Sequence, residues 1–427
     1  MRTLFIHQSF PAQYGPLAAA LAARPGEEVV GLGEQALANV PGVRQVRYPA
    51  PAGAGARTHR YLRPLEAATR RGQAVARAAL ALKAEGFVPD LICCHPGWGE
   101  GLFLRDVFPD ARLLYKFEFH YAASGGDLGF EDGAPPSLDE AARIRLLNAN
   151  NLLSLDAADW SQTATHWQHS RFPTWARARM SVVHEGVDTD RIRRLPGARF
   201  ALPDGRVLTT ADEVVTYVAR GLEPYRGFPG FMRALPEILR HRPRAQVVIV
   251  GEDAAHYGAG PPGGGTWRDA LFDELAAGLD LSRVHCVGRI DHDALVALFS
   301  VSAAHVYLTY PFILSWSLLE AMACACPIIA SDTAPVVEVI EHGRNGWLVP
   351  FHAHEELAAA VTQALEHPDA ARAMGAAARA DVVRRHDQRR ICLPAGLALL
   401  DQVAGCGSGI AHAVGPGLEI AGGPAAH

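Results

Sequence analysis

The chain has 427 residues, 49% of them apolar and 20% charged, and a formal net charge of −5. This length predicts more than one domain, because single hydrophobic cores stop growing near 300 residues. The nearly balanced charge, without a strongly basic stretch, argues against a nucleic-acid partner. The seven cysteines have neither zinc-ligand nor disulfide-framework spacing, so we expect reduced, buried thiols.

The N-terminus enters an apolar strand directly, with no basic-then-apolar leader before it. No apolar run is long enough to span a bilayer. We therefore expect a cytoplasmic protein without stable membrane insertion.

Strand and helix patterns alternate along the first half. The predicted strands are residues 2–7, 28–33, 44–50, 90–95 and 112–120, and the predicted helices are 14–26, 65–86 and 99–109. Continuous apolar strands separated by helices are typical of parallel sheets covered on both faces.

The same rhythm returns in the second half. The predicted strands are 214–220, 245–253, 284–289, 305–310, 327–331 and 345–351, with helices at 230–242, 292–302, 318–325 and 354–367. The turn-rich stretch 181–205 separates the two series. We predict one α/β domain at 1–195, a second at 196–385, a helix at 386–404 that packs back on the first domain, and a flexible tail at 405–427. Ligands of such sheets bind beyond the carboxyl ends of the strands, here between the domains.

The loop after the first strand, "HQSFPAQYG", contains neither a P-loop nor G-x-G-x-x-G, which argues against NAD binding or ATP hydrolysis. A better phosphate site is "VVTYVARGLEPYRGF", where Arg220 ends a strand and Arg226 precedes a helix. Guanidinium groups in these places suit a diphosphate, although either arginine alone is more often a surface residue.

One carboxylate lies in an apolar helix. In "SWSLLEAMACACPIIASD", Glu320 is the only acid before Asp332. A buried carboxylate is costly without a hydrogen-bonding partner, so either the protein or a ligand supplies one.

These motifs resemble those of the retaining GT-B glycosyltransferases of family four. "ARGLEPYRG" is similar to the family's diphosphate-binding segment, with Arg226 replacing a lysine, and "FILSWSLLEAMACACPIIASD" is similar to its glutamate motif. The resemblance implies an α/β GT-B fold, two doubly wound Rossmann-like domains facing across a cleft, with acceptor binding in 1–195 and nucleotide-sugar binding in 196–385. It also implies that Glu320 accepts hydrogen bonds from the donor ribose. The alternative is that Glu320 caps helix amides.

The match departs from the family at Phe312, which stands where the first family glutamate would contact the donor sugar. The resemblance still implies donor contacts from the segment Ile313, Leu314, Ser315, Trp316 and Ser317, and base contacts from Arg289 and Ile290. Glu338, in the stretch that follows, is expected to be structural or to support the site.

In the first domain, alternation in "RLLYKFEFH" predicts that Lys116, Glu118 and His120 share one face, with His120 at the carboxyl end of the strand. The family has a histidine at this position, near the transferred sugar. His95 ends the neighbouring strand and is a second candidate. Glu118 is expected to orient one of the two imidazoles.

Together these features and the resemblance predict a transferase that uses a nucleotide-diphosphate sugar, UDP rather than GDP, and a small-molecule acceptor. Retention of configuration is implied by the resemblance alone. Arg220, Arg226 and His120 are the predicted catalytic residues. No cofactor or metal is expected, because two guanidinium groups take the place of a divalent ion. The alternatives are a sugar-nucleotide epimerase or phosphorylase on the same fold and a non-catalytic nucleotide-sugar binding protein.

Overall fold

The computed structural model describes residues 1–35, 38–131, 133 and 135–405. Its first sheet is parallel and has the strand order β3-β2-β1-β4-β5-β6-β7. The strands are β1 (Arg2–Ile6), β2 (Glu28–Gly33), β3 (Arg44–Arg47), β4 (Leu91–Cys94), β5 (Arg112–Lys116), β6 (Trp160–Thr163) and β7 (Met180–Val182).

A small antiparallel hairpin, β8 (Arg199–Ala201) and β9 (Val207–Thr209), precedes the second sheet. That sheet is also parallel, with the order β12-β11-β10-β13-β14-β15. Its strands are β10 (Val214–Gly221), β11 (Gln246–Glu252), β12 (Val284–Gly288), β13 (Ala304–Tyr307), β14 (Ile328–Ser331) and β15 (Trp347–Val349).

Helices connect the strands and cover the sheets. They are α1 (Gly15–Ala22), α2 (Arg63–Ala84), α3 (Leu104–Val107), α4 (Leu138–Leu147), α5 (Ala149–Ala157), α6 (His166–Arg171), α7 (Thr174–Arg177), α8 (Phe228–His241), α9 (Trp267–Leu275), α10 (His292–Val301), α11 (Trp316–Ala323), α12 (Ala334–Val337), α13 (His354–Glu366), α14 (Pro368–Arg385) and α15 (Leu393–Gly405). None of the helices in the described ranges is both long and apolar enough to cross a membrane.

Each sheet is packed on both faces, as the predicted apolar strands require. In β1, Leu4 and Ile6 join one hydrophobic cluster while Phe5 joins the cluster on the opposite face. In β10, Val215 joins the cluster on one face of the sheet and Val214 joins the cluster on the other. Side chains of successive strand residues point to opposite faces, so an apolar run buried on both sides confirms the predicted pair of doubly wound α/β domains.

The chain crosses between the domains twice, at 183–187 and 386–392. The two segments are hydrogen-bonded to each other: the Val187 amide donates to the His386 carbonyl, and the Gln388 amide donates to the Val187 carbonyl, both at 2.8 Å. After the second crossing, α15 places Leu399 and Leu400 in the first-domain cluster that contains Phe5. The predicted tail lies, apart from Gly405, outside the described residues.

Several predicted elements are longer than the observed ones. The strand predicted at 112–120 ends at Lys116, and the helix predicted at 99–109 shortens to α3. Beyond Lys116, side-chain amides replace the neighbouring strand: Gln168 Nε2 donates to the Glu118 carbonyl, and Asn151 Nδ2 donates to the Phe119 carbonyl at 2.9 Å. These partners come from distant helices, so local alternation could not reveal where the sheet ends.

We predict that Gly186→Ala strongly destabilises the protein. Gly186 has φ of +78°, and a Cβ there would lie 2.7 Å from the Gln388 Cα. Left-handed strain and backbone overlap together should cost about 3 kcal/mol or more. The matched control is Gly205→Ala, at φ of +87° with no atom within 4 Å; it should cost only about 1–2 kcal/mol. The urea midpoints of unfolding measure the stability loss of each variant. Equal losses in Gly186→Ala and Gly205→Ala would contradict close packing at the crossing.

Candidate active site

Arg226 is a buried cation at the centre of the second-domain strand ends. It lies in a short 3-10 turn, Pro224–Arg226, just before α8, and is 5% exposed. Its Nη1 donates to Thr309 Oγ1 at 2.9 Å and to the Ile313 carbonyl at 3.0 Å. No carboxylate in the described part of the chain forms an ion pair with it. The guanidinium group therefore has neutral partners only, and an anion would complete its environment.

Glu223 organises the loop that flanks Arg226, and sequence reasoning missed it. The side chain is fully buried, and its Oε2 accepts the amides of His256, Tyr257 and Gly258 at 2.8–3.0 Å. The bonded loop places the Tyr257 ring 5.3 Å from the Arg226 guanidinium carbon. A cation over an aromatic face is stabilised electrostatically. The only signal in the sequence is an acid between the two arginines of "RGLEPYRG".

Arg220 has a different environment from Arg226. It lies near the end of β10, is exposed, and makes no hydrogen bond or ion pair with any residue that the structure describes. The two predicted arginines thus flank the same turn, one free at the surface and one buried.

Phe312 belongs to an aromatic cluster that spans both domains. It is 5% exposed, and its ring centroid lies 4.7 Å from Phe119 of the first domain, 5.6 Å from Tyr225 and 5.1 Å from Tyr257. The position of the family glutamate is therefore apolar and filled.

The segment after Phe312 was predicted to present its amides to the donor. The Ile313 carbonyl is bound by Arg226, Leu314 is half-buried, and Trp316 is exposed at the start of α11. The Ser315 amide donates to the Tyr307 hydroxyl at 2.9 Å, which corrects the expectation that it is free. The hydroxyls of Ser315 and Ser317 are 2.6 Å apart.

Glu320 has a protein partner for one oxygen only. Its side chain is 14% exposed, and Oε1 lies 3.0 Å from Nε2 of His292. This hydrogen bond raises the pKa of His292. Within the described ranges, Glu320 bonds no helix amide and Oε2 has no partner, so the capping alternative is wrong and one oxygen is left for a ligand.

The predicted base-contacting residues lie beyond β12. Arg289 is exposed, and its Nη1 donates to Glu252 Oε1 at 2.8 Å. Ile290 is half-buried and packs against the apolar cluster that includes Leu318. Glu252 ends β11, so these residues form an edge next to the Glu223-bound loop.

A second polar group lies at the carboxyl ends of β1, β4 and β5 in the first domain. His95 is 2% exposed, and its Nε2 lies 3.5 Å from Glu118 Oε1. Gln13 Nε2 donates to the same oxygen at 3.2 Å. Burial raises the pKa of Glu118, but His95 outweighs this effect and the net shift is downward. Glu118 thus pairs with His95 rather than with His120.

His7 and Trp98 complete this group and were not predicted. The His7 ring lies 5.0 Å from His95, and the Trp98 ring stacks on His95 at 4.5 Å. Burial, then His95, lowers the pKa of His7 to about 3, so it is neutral at pH 7. The strand order β2-β1-β4-β5 brings these side chains together, and a single sequence does not specify that order.

His120 stands apart from that group. Its ring lies 5.6 Å from Phe172. Burial, followed by the charge of Arg171, lowers the pKa of His120. Lys116, predicted on the same face, instead forms a buried ion pair with Glu185. The prediction that Lys116, Glu118 and His120 share one face was wrong because the strand ends at Lys116.

Contacts across the cleft come mainly from the first-domain segment after His120. The Tyr225 hydroxyl donates to Asp127 at 2.7 Å, and the Tyr310 hydroxyl donates to Glu131. Glu338 binds the amides of His166 and Trp167, both at 2.8 Å, at the start of α6. Glu338 is therefore an interdomain contact, consistent with a structural role.

Three potential metal ligands, His184, His386 and Cys392, come within 4.8 Å of one another. They lie at or next to the domain crossings, not among the residues around Arg226. His184 Nδ1 accepts the Gly186 amide at 2.8 Å, so one of its nitrogens is already engaged. Metal independence stays a prediction.

Comparison with known protein families divides the chain into the same two domains as the structure. Residues 25–192 match the glycosyl transferase family 4 group, and residues 203–381 match the glycosyl transferases group 1. D-inositol 3-phosphate glycosyltransferase of Rhodococcus jostii is 30% identical over 203 residues, which are 47% of this chain and 42% of the relative. Glycogen synthase of Mycobacterium tuberculosis is 26% identical over 72% of this chain and 69% of the relative.

Solved structures with the same fold cover nearly the whole chain. Sucrose-phosphate synthase from Thermosynechococcus elongatus has a TM-score of 0.69 at 19% identity and covers 95% of this chain and 100% of its own. HepE from Anabaena in complex with UDP-glucose has a TM-score of 0.64 at 17% identity, and the match covers 95% of this chain and 99% of HepE. The two family matches together span most of the sequence, and the chain belongs to the group 1 glycosyltransferases of the GT-B type.

Proposed function

We propose that this glycosyltransferase moves a sugar from a UDP-sugar to a small-molecule acceptor with retention of configuration. The activities of the glycosyltransferase and glycogen synthase relatives support sugar transfer, and the HepE structure is a complex with UDP-glucose. The proposal of retention rests on the resemblance to the retaining family.

The observation that carries the proposal is Arg226. A guanidinium group that is 5% exposed and has only neutral protein partners is costly unless an anion joins it. A diphosphate between Arg226 and the free, exposed Arg220 would meet this requirement, because guanidinium groups bind phosphate oxygens with directed hydrogen bonds.

In the proposed reaction, the bond between the sugar C1 and the β-phosphate oxygen breaks. A new C1–oxygen bond forms to the acceptor on the same face, and the acceptor proton passes to the released diphosphate. Arg220 and Arg226 stabilise the charge that develops on the leaving group. Glu320 Oε2 accepts from the donor ribose, Ile313–Ser317 line the sugar and β-phosphate, and Arg289 and Ile290 line the base.

A second candidate function is non-catalytic binding of a nucleotide sugar. It is favoured by Phe312, because the filled apolar position provides no carboxylate for a sugar hydroxyl. Incubation with UDP-glucose discriminates the two: an enzyme releases UDP by transfer or slow hydrolysis, whereas a binding protein returns the donor intact. Failure of a panel of UDP- and GDP-sugars to bind, measured by calorimetry, would refute both.

Arg220→Ala should lower turnover by about 100- to 1,000-fold, the usual effect of losing a group that stabilises transition-state charge. Because the side chain is exposed and unpaired in the described structure, the melting temperature should not change. Arg199→Ala, at an exposed position of β8, is the matched control. Steady-state kinetics measure the turnover of both variants. Turnover within twofold of wild type in Arg220→Ala would show that this arginine does not stabilise the leaving diphosphate.

Glu320→Gln should weaken UDP-sugar binding by about tenfold to a hundredfold, because hydrogen bonds to a charged acceptor contribute about 1.5–3 kcal/mol. Isothermal titration calorimetry measures the effect. His292→Ala removes the protein partner without touching the ligand-facing oxygen, so it should affect stability more than donor affinity. Unchanged affinity in Glu320→Gln with a lower melting temperature would make the glutamate purely structural.

Transfer should continue in excess EDTA, because Arg220 and Arg226 already supply positive charge where a divalent ion would act. UDP release is the readout, with magnesium added back as the control. Activity lost in EDTA and restored by magnesium or manganese would contradict the proposal that Arg220 and Arg226 replace a divalent ion.

A further inference from the structure

We propose that Asp127, on a first-domain loop that reaches the second domain, binds a hydroxyl group of the donor sugar and helps to select that sugar. This role rests on the proposed use of a UDP-sugar. It assigns recognition of the sugar to a carboxylate that lies in the opposite domain from Arg226. The loop is residues 121–131, called the strap below.

One oxygen of the Asp127 carboxylate is unpaired. Its Oδ2 accepts the Tyr225 hydroxyl at 2.7 Å, whereas Oδ1 is removed from solvent and has no hydrogen-bond partner among the described residues. A carboxylate oxygen that is buried without a donor is costly, because it has given up its water and gained nothing. A ligand that carries hydroxyl groups would supply the missing donor.

Asp127 is held beside the turn that carries Arg226. Its partner Tyr225 belongs to that turn, Pro224–Arg226, and the Tyr225 ring lies 5.6 Å from Phe312. Phe312 immediately precedes the segment proposed to line the sugar. A sugar is joined directly to the β-phosphate of its donor, so a diphosphate bound at Arg226 places the sugar next to this turn. The unpaired oxygen is therefore near the expected position of the sugar.

Tyr121, at the start of the strap, shows that Asp127 lies among groups that border the cleft. Burial raises the pKa of Tyr121 to about 12, and the charges of Asp127 and Glu118 and the Tyr257 side chain raise it further. Glu118 belongs to the first-domain polar group, and Tyr257 lies over Arg226. Tyr121 is thus within electrostatic range of both sides of the cleft and of Asp127.

The strap is anchored on either side of Asp127. The Asn148 side chain donates to the Tyr121 carbonyl at 2.7 Å and accepts the Tyr121 amide at 2.9 Å. Toward the other end, the Phe130 ring packs 4.9 Å from the Tyr310 ring of the second domain. The carboxylate between these anchors is positioned before a ligand binds, and such preorganisation lowers the entropy lost on binding.

The test compares the affinity of the nucleotide with and without its sugar. UDP, UDP-glucose, UDP-galactose, UDP-N-acetylglucosamine and UDP-xylose are titrated by calorimetry into the full-length protein and into Asp127→Ala. The tightest-binding UDP-sugar should lose about tenfold to a hundredfold in affinity, the usual effect of losing a hydrogen bond to a charged acceptor. The affinity for UDP should change by less than about twofold, because UDP carries no sugar.

Glu131→Ala is the matched control. Glu131 is also a strap carboxylate that accepts a second-domain tyrosine hydroxyl, from Tyr310, and its other oxygen lies 4.0 Å from Nδ1 of His352. This variant therefore removes a comparable contact between the domains without removing an unpaired oxygen. It should change the affinities for UDP and for the UDP-sugar by the same factor.

Equal losses for UDP and the UDP-sugar in Asp127→Ala would overturn the inference, because they would make Asp127 a contact between the domains only. Unchanged affinities for both would also overturn it and would assign the unpaired oxygen to water. Failure of the wild-type protein to bind UDP and every UDP-sugar would refute the proposed function itself. Normal binding of UDP without a sugar-specific loss in Asp127→Ala would refute this inference alone.

Discussion

The burial of the Arg226 guanidinium is the constraint on which the strand-end loops of the second domain depend. A charge that is 95% removed from solvent is stable only when its surroundings are polar and precisely placed. Thr309 and the Ile313 carbonyl supply two acceptors, and the Tyr257 ring supplies a third favourable contact. Thr309 and Ile313 lie in the loop between β13 and α11, and Tyr257 lies in the loop between β11 and α9, so one cation holds these two loops against its own turn.

Phe312 stands where the resemblance places a family glutamate, and it packs against the rings of Phe119, Tyr225 and Tyr257. These contacts join the first domain to the second through apolar surface. The position is therefore one of interdomain packing, and its buried side chain offers no carboxylate to a ligand.

Local pattern predicted much of the fold, because parallel strands buried on two faces are apolar throughout and helices separate them. It also identified Arg226 as a candidate phosphate ligand and Glu320 as a carboxylate in an apolar helix. It did not predict the partner of either one, since Thr309 and His292 are remote in sequence. The His7–His95–Glu118 group depends on strand order, and Glu223 acts through backbone amides that have no sequence signature. Distance along the chain, rather than residue type, limited the prediction.

The double crossing has a consequence for protein engineering. The chain leaves the first domain near Gly186, completes the second domain, and returns near Gln388 to end in α15 on the surface of the first. The second domain is thus topologically an insertion within the first, and both described ends of the chain belong to the first domain. A chimera that exchanges the second domain therefore requires two junctions, which must be cut at facing positions of the two paired crossing segments. A single junction would leave α15 grafted onto a first domain for which it was not selected.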